Sequence, residues 1–527
     1  MILAPSRTRA LILAAAVAGL FPLLLVVRLA YLQVWSAPDF RLRRERETTE
    51  HVELKGTRGL ILDRDGIVLA QNVPAGSIFA MTSEVSDPGV VSNNLHEQIG
   101  LDRSQVMLRL TSRQGFVWLK RQADESQIAE TENLHLKGVY VRHSDKRLYP
   151  FAEAASHVLG FVDVDGHGLS GVELFDDAQL HGKDAAVLRY RDSRGGEIPF
   201  GRSKRPAPTG GENAHLSISL PVQLAAEKAI EQYSRSVPFQ SGKVIVLDAD
   251  SGQILALAEY PNFDPNKFSK YPDTLLTQNS CVQTLVASQR MFLALLATTE
   301  LDGGTVDMPD LIPSWRRFSS GSNRELAEIL LGRVRRGHSD LHERFTNIFD
   351  PDAKSGVELP GEIAGHLDWD RVKPPRGLSL SPIQMAKAMA IMVNGGSKIK
   401  PTIFRSERDS SSAQAVRTPQ KALLSATSRE VRSLLQQVDR VRHNEVGVGG
   451  YQIGGIDLTD AHGSMHGDRM SGFVGFAQED SGDGRIVVFA MIDMANKPKY
   501  ADAARRIFAV VVNETMRYLE SHPIAAR

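Results

Sequence analysis

Residues that can bind a metal ion are concentrated in one short stretch near the carboxyl end of the sequence. Asp460, His462, His466 and Asp468 fall within nine positions, and carboxylate and imidazole groups are ligands of divalent metals. Glycine and serine residues between them are typical of a loop, in which solvated polar side chains are commoner than metal ligands. We therefore predict no metal site and no cofactor.

A second polar group is basic and lies at the end of a predicted helix. It consists of Arg333, Arg335, Arg336 and His338. Charge runs of this kind are usually the solvated face or end of a helix. We interpret the group in that way, with a contact to a partner as the alternative.

The composition excludes several classes of function. Lys+Arg 62 equals Asp+Glu 62, and the formal net charge of +0 gives no support for a nucleic-acid partner. The single cysteine, Cys281, excludes an intramolecular disulfide and a cysteine-based zinc or iron–sulfur site. The length of 527 residues predicts two or three domains.

The amino-terminal segment has the length and composition of a membrane anchor. An uncharged run from Ala10 to Val27, extended beyond Arg28 as far as Val34, reaches the length that crosses a bilayer. No small-x-small site follows, which disfavours a cleaved signal peptide, and a buried soluble helix is the remaining alternative. We predict a cytoplasmic tail over 1–9, a transmembrane helix over 10–34 and an exported remainder, although the arginines at 41–46 oppose the positive-inside rule.

Hydrophobic patterning predicts the elements that follow the anchor. They are a β-hairpin over 60–69, helices within 88–135, a linker over 201–211, a strand over 215–220 before a helix from Val222, a second hairpin over 243–260, an edge strand over 484–494 and a terminal helix over 501–519.

Together these landmarks resemble the class B penicillin-binding proteins, the bitopic cell-wall transpeptidases of bacterial division and elongation. One family pattern is matched by Arg58, Gly59, Ile61, Asp63, Arg64, Gly66, Leu69 and Ala70. A second is matched by Arg147, Tyr149, Pro150, Gly160, Phe161, Val162, Gly171, Glu173, Asp177, Leu180 and Gly182. Three further signatures of the family are matched within 246–265, 355–365 and 377–396.

The resemblance implies an α+β fold with a single N-terminal transmembrane helix. It further implies a mixed α/β pedestal, or dimerisation-like, domain over 35–210. The transpeptidase-like domain would then occupy 211–527, with a central antiparallel sheet flanked by helices.

The resemblance also implies a Ser-x-x-Lys motif, in which the lysine amine takes the proton of the serine nucleophile. Counting forward from Asn279 without a gap places Arg290 at the serine position and Leu293 at the lysine position. The nearest serine, Ser288, is followed three residues later by Met291. Because neither register supplies a lysine, we predict that the motif is degenerate, with Ser288 as the fallback nucleophile.

The family's second motif, Ser-x-Asn, is matched only in part. Gly321, Ser322 and Asn323 stand in its place, so a glycine replaces the leading serine. Ser322 and Glu325 also have the spacing of a capping box for a helix from Arg324 to Leu331. We predict that this segment has a structural role.

The third motif, Lys-Thr-Gly, is replaced throughout. Ile456 stands at the lysine position, Asp457 at the threonine position and Leu458 at the glycine position. In the family the lysine and the hydroxyl bind a substrate carboxylate, which an aspartate would repel by roughly 1–4 kcal/mol at about 4 Å.

Two functions remain in competition. The first is a pseudoenzyme, a non-catalytic scaffold or regulator of cell-wall synthesis. It would dock through its helix and pedestal on a polytopic peptidoglycan glycosyltransferase and other proteins of the division or elongation complex. The second is an active D,D-transpeptidase that uses a rearranged serine site. Binding of peptidoglycan in the old cleft without chemistry is a third possibility.

Overall fold

The computed structural model describes residues 5–35, 49–54, 56–112, 114–190, 209–237, 239–319, 322–335, 339–369, 377–405, 420–440, 451–458, 462–463, 470–479, 484–493 and 502–522. The helices are α1 Pro5–Ala30, α2 Pro88–Ile99, α3 Arg103–Leu110, α4 Glu125–Asn133, α5 Ser156–Leu159, α6 Gly171–Phe175, α7 Asp177–Leu180, α8 Leu220–Ser236, α9 Asp273–Thr277, α10 Ser280–Gln283, α11 Gln289–Asp302, α12 Met308–Ser319, α13 Arg324–Arg335, α14 Ser339–Phe349, α15 Pro382–Val393, α16 Ser425–Arg440 and α17 Ala503–Ser521. The strands are β1 Thr49–Leu54, β2 Ile61–Leu62, β3 Val68–Met81, β4 Phe116–Asp124, β5 Val139–Leu148, β6 Ala185–Tyr190, β7 Ala214–His215, β8 Gly242–Asp248, β9 Ile254–Tyr260, β10 Val286–Ala287, β11 His366–Leu367, β12 Leu378–Leu380, β13 Tyr451–Asp457, β14 His462–Gly463, β15 Met470–Glu479 and β16 Arg485–Asp493.

One compact unit consists of residues 1–57 and 182–210. It contains α1, which continues into a π-helical turn at Tyr31–Trp35, and an antiparallel ribbon of β1 and β6. Within the part of the chain that the structure describes, Ile12–Gln33 is the one helical stretch that is long and apolar enough to cross a membrane. The predicted N-terminal apolar helix is confirmed.

The other unit consists of residues 58–181 and 211–527. Its first sheet has the order β4-β3-β2-β7, and β5 also pairs with β3. The predicted hairpin is present, because β2 pairs with β3 around Gly66, which has φ +85. The expectation of helices throughout 88–135 is wrong at β4, where Val117 and Leu119 are buried and alternate with the outward-facing Trp118, the period of two that defines a strand.

Helices α2, α3 and α4 cover one face of this sheet. Their buried apolar residues, among them Leu95, Val106 and Ile128, pack against Ile78 and Ala80 of β3. The opposite face of β3, β4 and β5 carries partly exposed side chains. The sheet is therefore two-sided, with one face in a core and one face outward.

The central sheet of the larger unit has the antiparallel order β13-β15-β16-β8-β9. Helices α8 and α17 pack on one face, and α15 packs on the other. The prediction of an edge strand over 484–494 is wrong, because β16 lies between β15 and β8 and is buried from Ile486 to Ile492. A continuous apolar run marks a strand that is covered on both faces.

Two predicted boundaries also differ from the structure. The strand expected over 215–220 is only two residues long, and α8 begins at Leu220 rather than Val222. Pro221 occupies the first turn of α8, where its missing N–H costs nothing. The terminal helix is confirmed as Ala503–Ser521.

Candidate functional site

The first element of the site is the start of α11. Ser288 is the N-cap, and its hydroxyl accepts a hydrogen bond from the backbone N–H of Met291 at 3.3 Å. Every residue from Arg290 to Leu301 is buried, and Leu293 has no exposed surface. The stretch from Met291 to Ala297 is apolar on all sides, as expected for a helix that lies inside the core.

Arg290 is the one long cation in this buried turn, with 3% of its surface exposed. Its Nε donates to the carbonyl of Asp457 at 2.7 Å, at the end of β13. Its Nη1 donates to Oδ1 of Asn323 at 3.0 Å, and its Nη2 donates to the carbonyl of Phe318 at 2.7 Å. The guanidinium therefore joins the start of α11 to the last turn of α12, the start of α13 and the end of β13.

Two further features stabilise the charge of Arg290. The carbon of its guanidinium lies 4.4 Å from the centre of the Phe318 ring, which is a cation–π contact. The Phe318 carbonyl belongs to the last turn of α12, where the helix dipole is negative. These three acceptors are neutral oxygens.

The chemistry open to this arrangement follows from the guanidinium. It stays protonated at every physiological pH, so it is neither a nucleophile nor a general base. Its donors are directed at backbone and amide oxygens of the protein itself. The arrangement can hold α11, α12, α13 and β13 together, and it places a cation at the position at which the sequence count expects the nucleophile.

The second predicted element, Ser322–Asn323, lies at the start of α13. The helix begins at Arg324, and the carbonyl of Asn323 accepts from the N–H of Ala327. Asn323 is thus the N-cap, and the predicted capping box on Ser322 is wrong. Glu325 instead forms an ion pair with Arg317. Ser322 itself is exposed, whereas the Asn323 side chain reaches Arg290.

The third predicted element lies at the end of β13, an edge strand of the central sheet. Ile456 is buried with 1% exposure, and Asp457 is half-buried opposite Phe473 of β15. After β13 the chain forms β14, whose His462 pairs with Ala287 of β10, next to Ser288. The structure thus brings together Arg290, Asn323 and the backbone of Asp457, and Ser322 lies beside them in sequence only.

The predicted metal-binding stretch falls mostly outside the described residues. Asp460, His466 and Asp468 are not among them, and of His462 only the backbone is described. In the remaining described chain, no group of three histidine, cysteine, aspartate or glutamate side chains is placed to hold a metal ion.

Of the basic group at the end of α13, the structure describes the side chain of Arg333. Nε of Arg333 lies 3.1 Å from Oε1 of Glu300, which is buried in α11. The interpretation as a solvated helix end is therefore wrong for Arg333. Arg336 and His338, together with the side chain of Arg335, lie outside the described residues.

The signature residues of the pedestal form a buried ionic cluster around Glu173, which has no exposed surface. Nε of Arg58 and Nε of Arg147 lie 2.6 and 2.8 Å from its two carboxylate oxygens. The Tyr149 hydroxyl donates to Oε1 at 3.3 Å, and Arg58 also pairs with Asp177 at 2.6 Å. Burial raises the pKa of Tyr149 well above its usual range.

The pKa of Asp177 moves in the opposite direction. Partial burial favours its protonated form, but hydrogen bonds from the Gly168 N–H and from Arg58, with the Arg58 charge, hold the pKa of Asp177 below its ordinary value. We refer to Arg58, Arg147, Tyr149, Glu173 and Asp177 as the ionic cluster.

Other signature residues complete the same structural unit. The carbonyl of Gly59 accepts from Nη1 of Arg147 at 2.8 Å. Asp63 accepts from the N–H groups of Asp65, Ile67 and Leu220, and the Arg64 backbone is bonded to Ile218 and Arg405. Gly171 has φ +58 and leaves no room for a Cβ, which would lie 2.5 Å from the Gly160 nitrogen. Pro150, in contrast, is exposed.

The sequence contained no signal for the partners of Arg290. Phe318, Asn323 and Asp457 are separated from it by 28, 33 and 167 residues. The ionic cluster could have been suspected, because buried arginines are paired and the two signatures together carry three arginines and three carboxylates.

Comparison with known proteins identifies both parts of the chain. The Penicillin-binding Protein dimerisation domain matches residues 53–216, and the Penicillin binding protein transpeptidase domain matches residues 338–516. The second range contains Ile456 and Asp457 but begins after Arg290, Leu293, Ser322 and Asn323.

Curated relatives match over most of their length. Stage V sporulation protein D of Bacillus subtilis is 25% identical over 89% of this chain and 79% of its own length. The probable peptidoglycan D,D-transpeptidase PenA of Neisseria meningitidis is 28% identical over 89% of this chain and 85% of its own length. The peptidoglycan D,D-transpeptidase FtsI of Escherichia coli is 29% identical over 71% of this chain and 68% of its own length.

The fold is shared with solved structures. A peptidoglycan synthetase from Bifidobacterium adolescentis superposes with a TM-score of 0.66 at 19% identity, over 91% of this chain and 98% of that one. In sequence order, the chain therefore has an N-terminal apolar helix, a dimerisation domain and a transpeptidase domain. The chain belongs to the class B penicillin-binding proteins.

Proposed function

We propose that this protein is a non-catalytic member of its family, a membrane-anchored component of peptidoglycan synthesis whose transpeptidase-like domain does not acylate. The observation that carries the proposal is the guanidinium of Arg290. It occupies the first turn of α11, where the sequence count expects the nucleophile, and is bonded to Asp457, Asn323 and Phe318.

The surroundings of Arg290 support the same proposal. Serine is acylated efficiently only when an adjacent base takes its proton. The position expected for the lysine holds Leu293 and the position expected for the third-motif lysine holds Ile456, both fully buried among apolar side chains. Ser288 is 2% exposed and caps α11, so its hydroxyl is not open to a substrate.

The partner in this proposal is a polytopic peptidoglycan glycosyltransferase of a division or elongation complex. We assign the contact to α1 and to the exposed surface of the pedestal, with the bulk of the chain outside the cytoplasmic membrane. The buried signature residues are not the contact surface, because Arg58, Asp63, Arg147 and Glu173 are enclosed in the fold. These buried residues stabilise the part of the fold whose exposed surface would contact the partner.

A fluorescent penicillin tests the absence of chemistry. The full chain in detergent is incubated with the reagent, denatured by heat and separated by electrophoresis, with Escherichia coli FtsI as the positive control. We expect no adduct. A stoichiometric adduct that is lost in Ser288→Ala or in Ser322→Ala would overturn the proposal and assign the nucleophile.

Co-purification from membranes tests the scaffold role. The full chain is compared with a chain in which α1 is exchanged for an unrelated transmembrane helix of equal length. We expect the exchange to remove the glycosyltransferase from the purified set while the protein stays in the membrane. A partner set that depends on neither the helix nor the pedestal would contradict the scaffold role.

The active-enzyme alternative rests on two observations. Two of the relatives are named as D,D-transpeptidases, and Ser322 is an exposed serine that directly precedes Asn323 in the sequence. The Ser322→Ala arm of the penicillin experiment decides it directly.

A further inference from the structure

An aromatic surface lies on the outward face of the first sheet, at the end of the sheet where β3 is paired on both sides. Trp118 and Tyr140 stand opposite Phe79 on the two neighbouring strands, β4 and β5. Phe116 follows opposite Met81. Ring centres are 4.9 to 5.8 Å apart among Phe79, Phe116, Trp118 and Tyr140, which we call the aromatic platform.

The platform is open to solvent and is not a core. Phe116 and Tyr140 are 41% and 44% exposed, and Phe79 and Trp118 are half-buried between them. Adjacent aromatic rings on a solvent-facing sheet cost free energy in water unless another surface covers them. Folding of the described chain does not explain them, because the core of this sheet is on its opposite face.

A row of cations borders the platform. Arg142 on β5 is paired with Ser77, the next outward position of β3, and Lys120 on β4 is paired with Ile78. In the described part of the chain neither side chain donates a hydrogen bond or joins an ion pair. Partial burial lowers the pKa of Lys120. The charge of Asp124 opposes this shift, and the charge of Lys146 adds to it. Arg121 is stacked over Trp118 and paired with Asp165.

We propose that the aromatic platform binds the glycan of peptidoglycan, with the cationic row directed at carboxylates of the attached peptides. A pyranose ring has C–H bonds on its faces and hydroxyl groups on its edge, so it stacks on aromatic rings and donates or accepts hydrogen bonds at its edge. The indole N–H of Trp118 has no acceptor among the described residues, and the Tyr140 hydroxyl is held by Glu84.

The dimensions and the charge of the surface favour this ligand. Neighbouring strands are about 4.8 Å apart, so side chains on three strands span roughly 10 Å, the length of about two sugar rings. The Phe79 and Tyr140 rings are stacked at 29°, and the Trp118 ring stands at 74° to Phe79. The cations complement an anionic polymer, and the family works on peptidoglycan.

Co-sedimentation with purified sacculi tests the proposal. The full chain is placed in nanodiscs of uncharged lipid, mixed with sacculi and centrifuged. We expect Trp118→Ala with Tyr140→Ala to weaken retention about tenfold. Phe175→Ala is the matched control, because it removes an equally exposed aromatic ring elsewhere in the same unit. Trp118→Phe keeps a ring and is expected to retain most binding, even if the double variant is less stable.

The cationic row has its own test. Lys120→Gln with Arg142→Gln is expected to weaken retention several-fold on intact sacculi, and to have no effect on sacculi whose peptides have been removed by an amidase. Salt is expected to weaken binding of the wild type to intact sacculi only.

Three results would overturn the proposal. The first is that sacculi do not retain the wild type, and the second is that they retain the double aromatic variant equally well. The third is that the double aromatic variant loses binding to phosphatidylglycerol vesicles but keeps its binding to sacculi, which would assign the platform to a membrane. Penicillin labelling is a separate measurement. A penicillin adduct would contradict the proposed lack of catalysis without affecting the proposal that the aromatic platform binds glycan.

Discussion

Two buried arginine sites in the larger unit neutralise their charge in different ways. In the ionic cluster, Arg58 and Arg147 share the carboxylate of Glu173, with Asp177 and the Tyr149 hydroxyl around them. At the start of α11, Arg290 is held by neutral oxygens of Asp457, Asn323 and Phe318 and by an aromatic ring. The first site matches a family signature, and the second stands where that family's chemistry is expected.

The difference teaches what each site can tolerate. A carboxylate between two guanidinium groups is stable only while all members are present, because removing one leaves a buried charge without compensation. A guanidinium bound by dipoles can be replaced by an apolar side chain at the cost of its hydrogen bonds. The first arrangement is a fixed structural element, and the second is a replaceable one.

The largest expected effect is at the centre of the ionic cluster. Glu173→Gln removes the negative charge between Arg58 and Arg147 and is expected to lower the free energy of unfolding by about 3–5 kcal/mol. Thermal unfolding of the full chain in detergent measures it, with the exposed Glu132→Gln as control. A change as small as that of the control would show that the two arginines do not depend on Glu173.

Arg290→Met is expected to have a smaller effect. The variant fills similar volume but leaves the Asp457 carbonyl, the Asn323 amide and the Phe318 carbonyl without their donor, for a loss of about 2–3 kcal/mol. The same unfolding experiment measures it, and Arg324→Met, an exposed arginine at the start of α13, is the control. A cost equal to that of Glu173→Gln would erase the distinction between the two sites.

A third polar site, at the half-buried Glu227, has no cation among its described hydrogen-bond partners and extends the comparison. Glu227 of α8 accepts hydrogen bonds from the Ala155 N–H at 2.8 Å and from Gln223 at 2.7 Å. Burial raises the pKa of Glu227 to about 7. The two hydrogen bonds lower this pKa in part, and the negative charge of Glu153 raises it further. The carboxyl group of Asp177, which lies beside the cation of Arg58, has its pKa lowered instead.

Glu227 is therefore expected to make stability depend on pH near neutrality. Because its folded pKa lies above the unfolded value of 4.5, the folded state holds the proton more tightly, and stability falls as the pH rises from about 4.5 to above 7. Glu227→Gln should match the wild type at about pH 4 and exceed it by about 2–3 kcal/mol at pH 8. Glu231→Gln, an exposed position on the same helix, should leave the pH dependence unchanged. Parallel curves for wild type and Glu227→Gln would contradict the assignment.

Sequence patterns predicted the parts of the fold that depend on local rules. The apolar run of α1, the turn at Gly66 and the short apolar runs of β8 and β9 each carry their own signal. The position of β16 was missed because strand order depends on pairing with β15 and β8, which are distant in sequence. Both arginine sites are of that second kind, since the partner of Arg58 is 115 residues away and that of Arg290 is 167 residues away.

The smallest expected effect is at Asp177, on the partly exposed rim of the ionic cluster. The lowered pKa of Asp177 means that the folded state prefers the ionised carboxylate. Its contribution to the free energy of unfolding is therefore fully present above the ordinary carboxyl pKa and is lost as the pH falls through the lowered pKa. Because water screens a carboxylate whose side chain is 30% exposed, Asp177→Asn should cost no more than about 1 kcal/mol at pH 7. Thermal unfolding at pH 7 and at pH 3 measures it, and the difference from the wild type should shrink at the lower pH. Asp340→Asn, an exposed helix pair, is the control. If Asp177→Asn were as costly as Glu173→Gln, the Arg58 charge would be neutralised mainly at the rim, and Glu173 would not be the centre of the cluster.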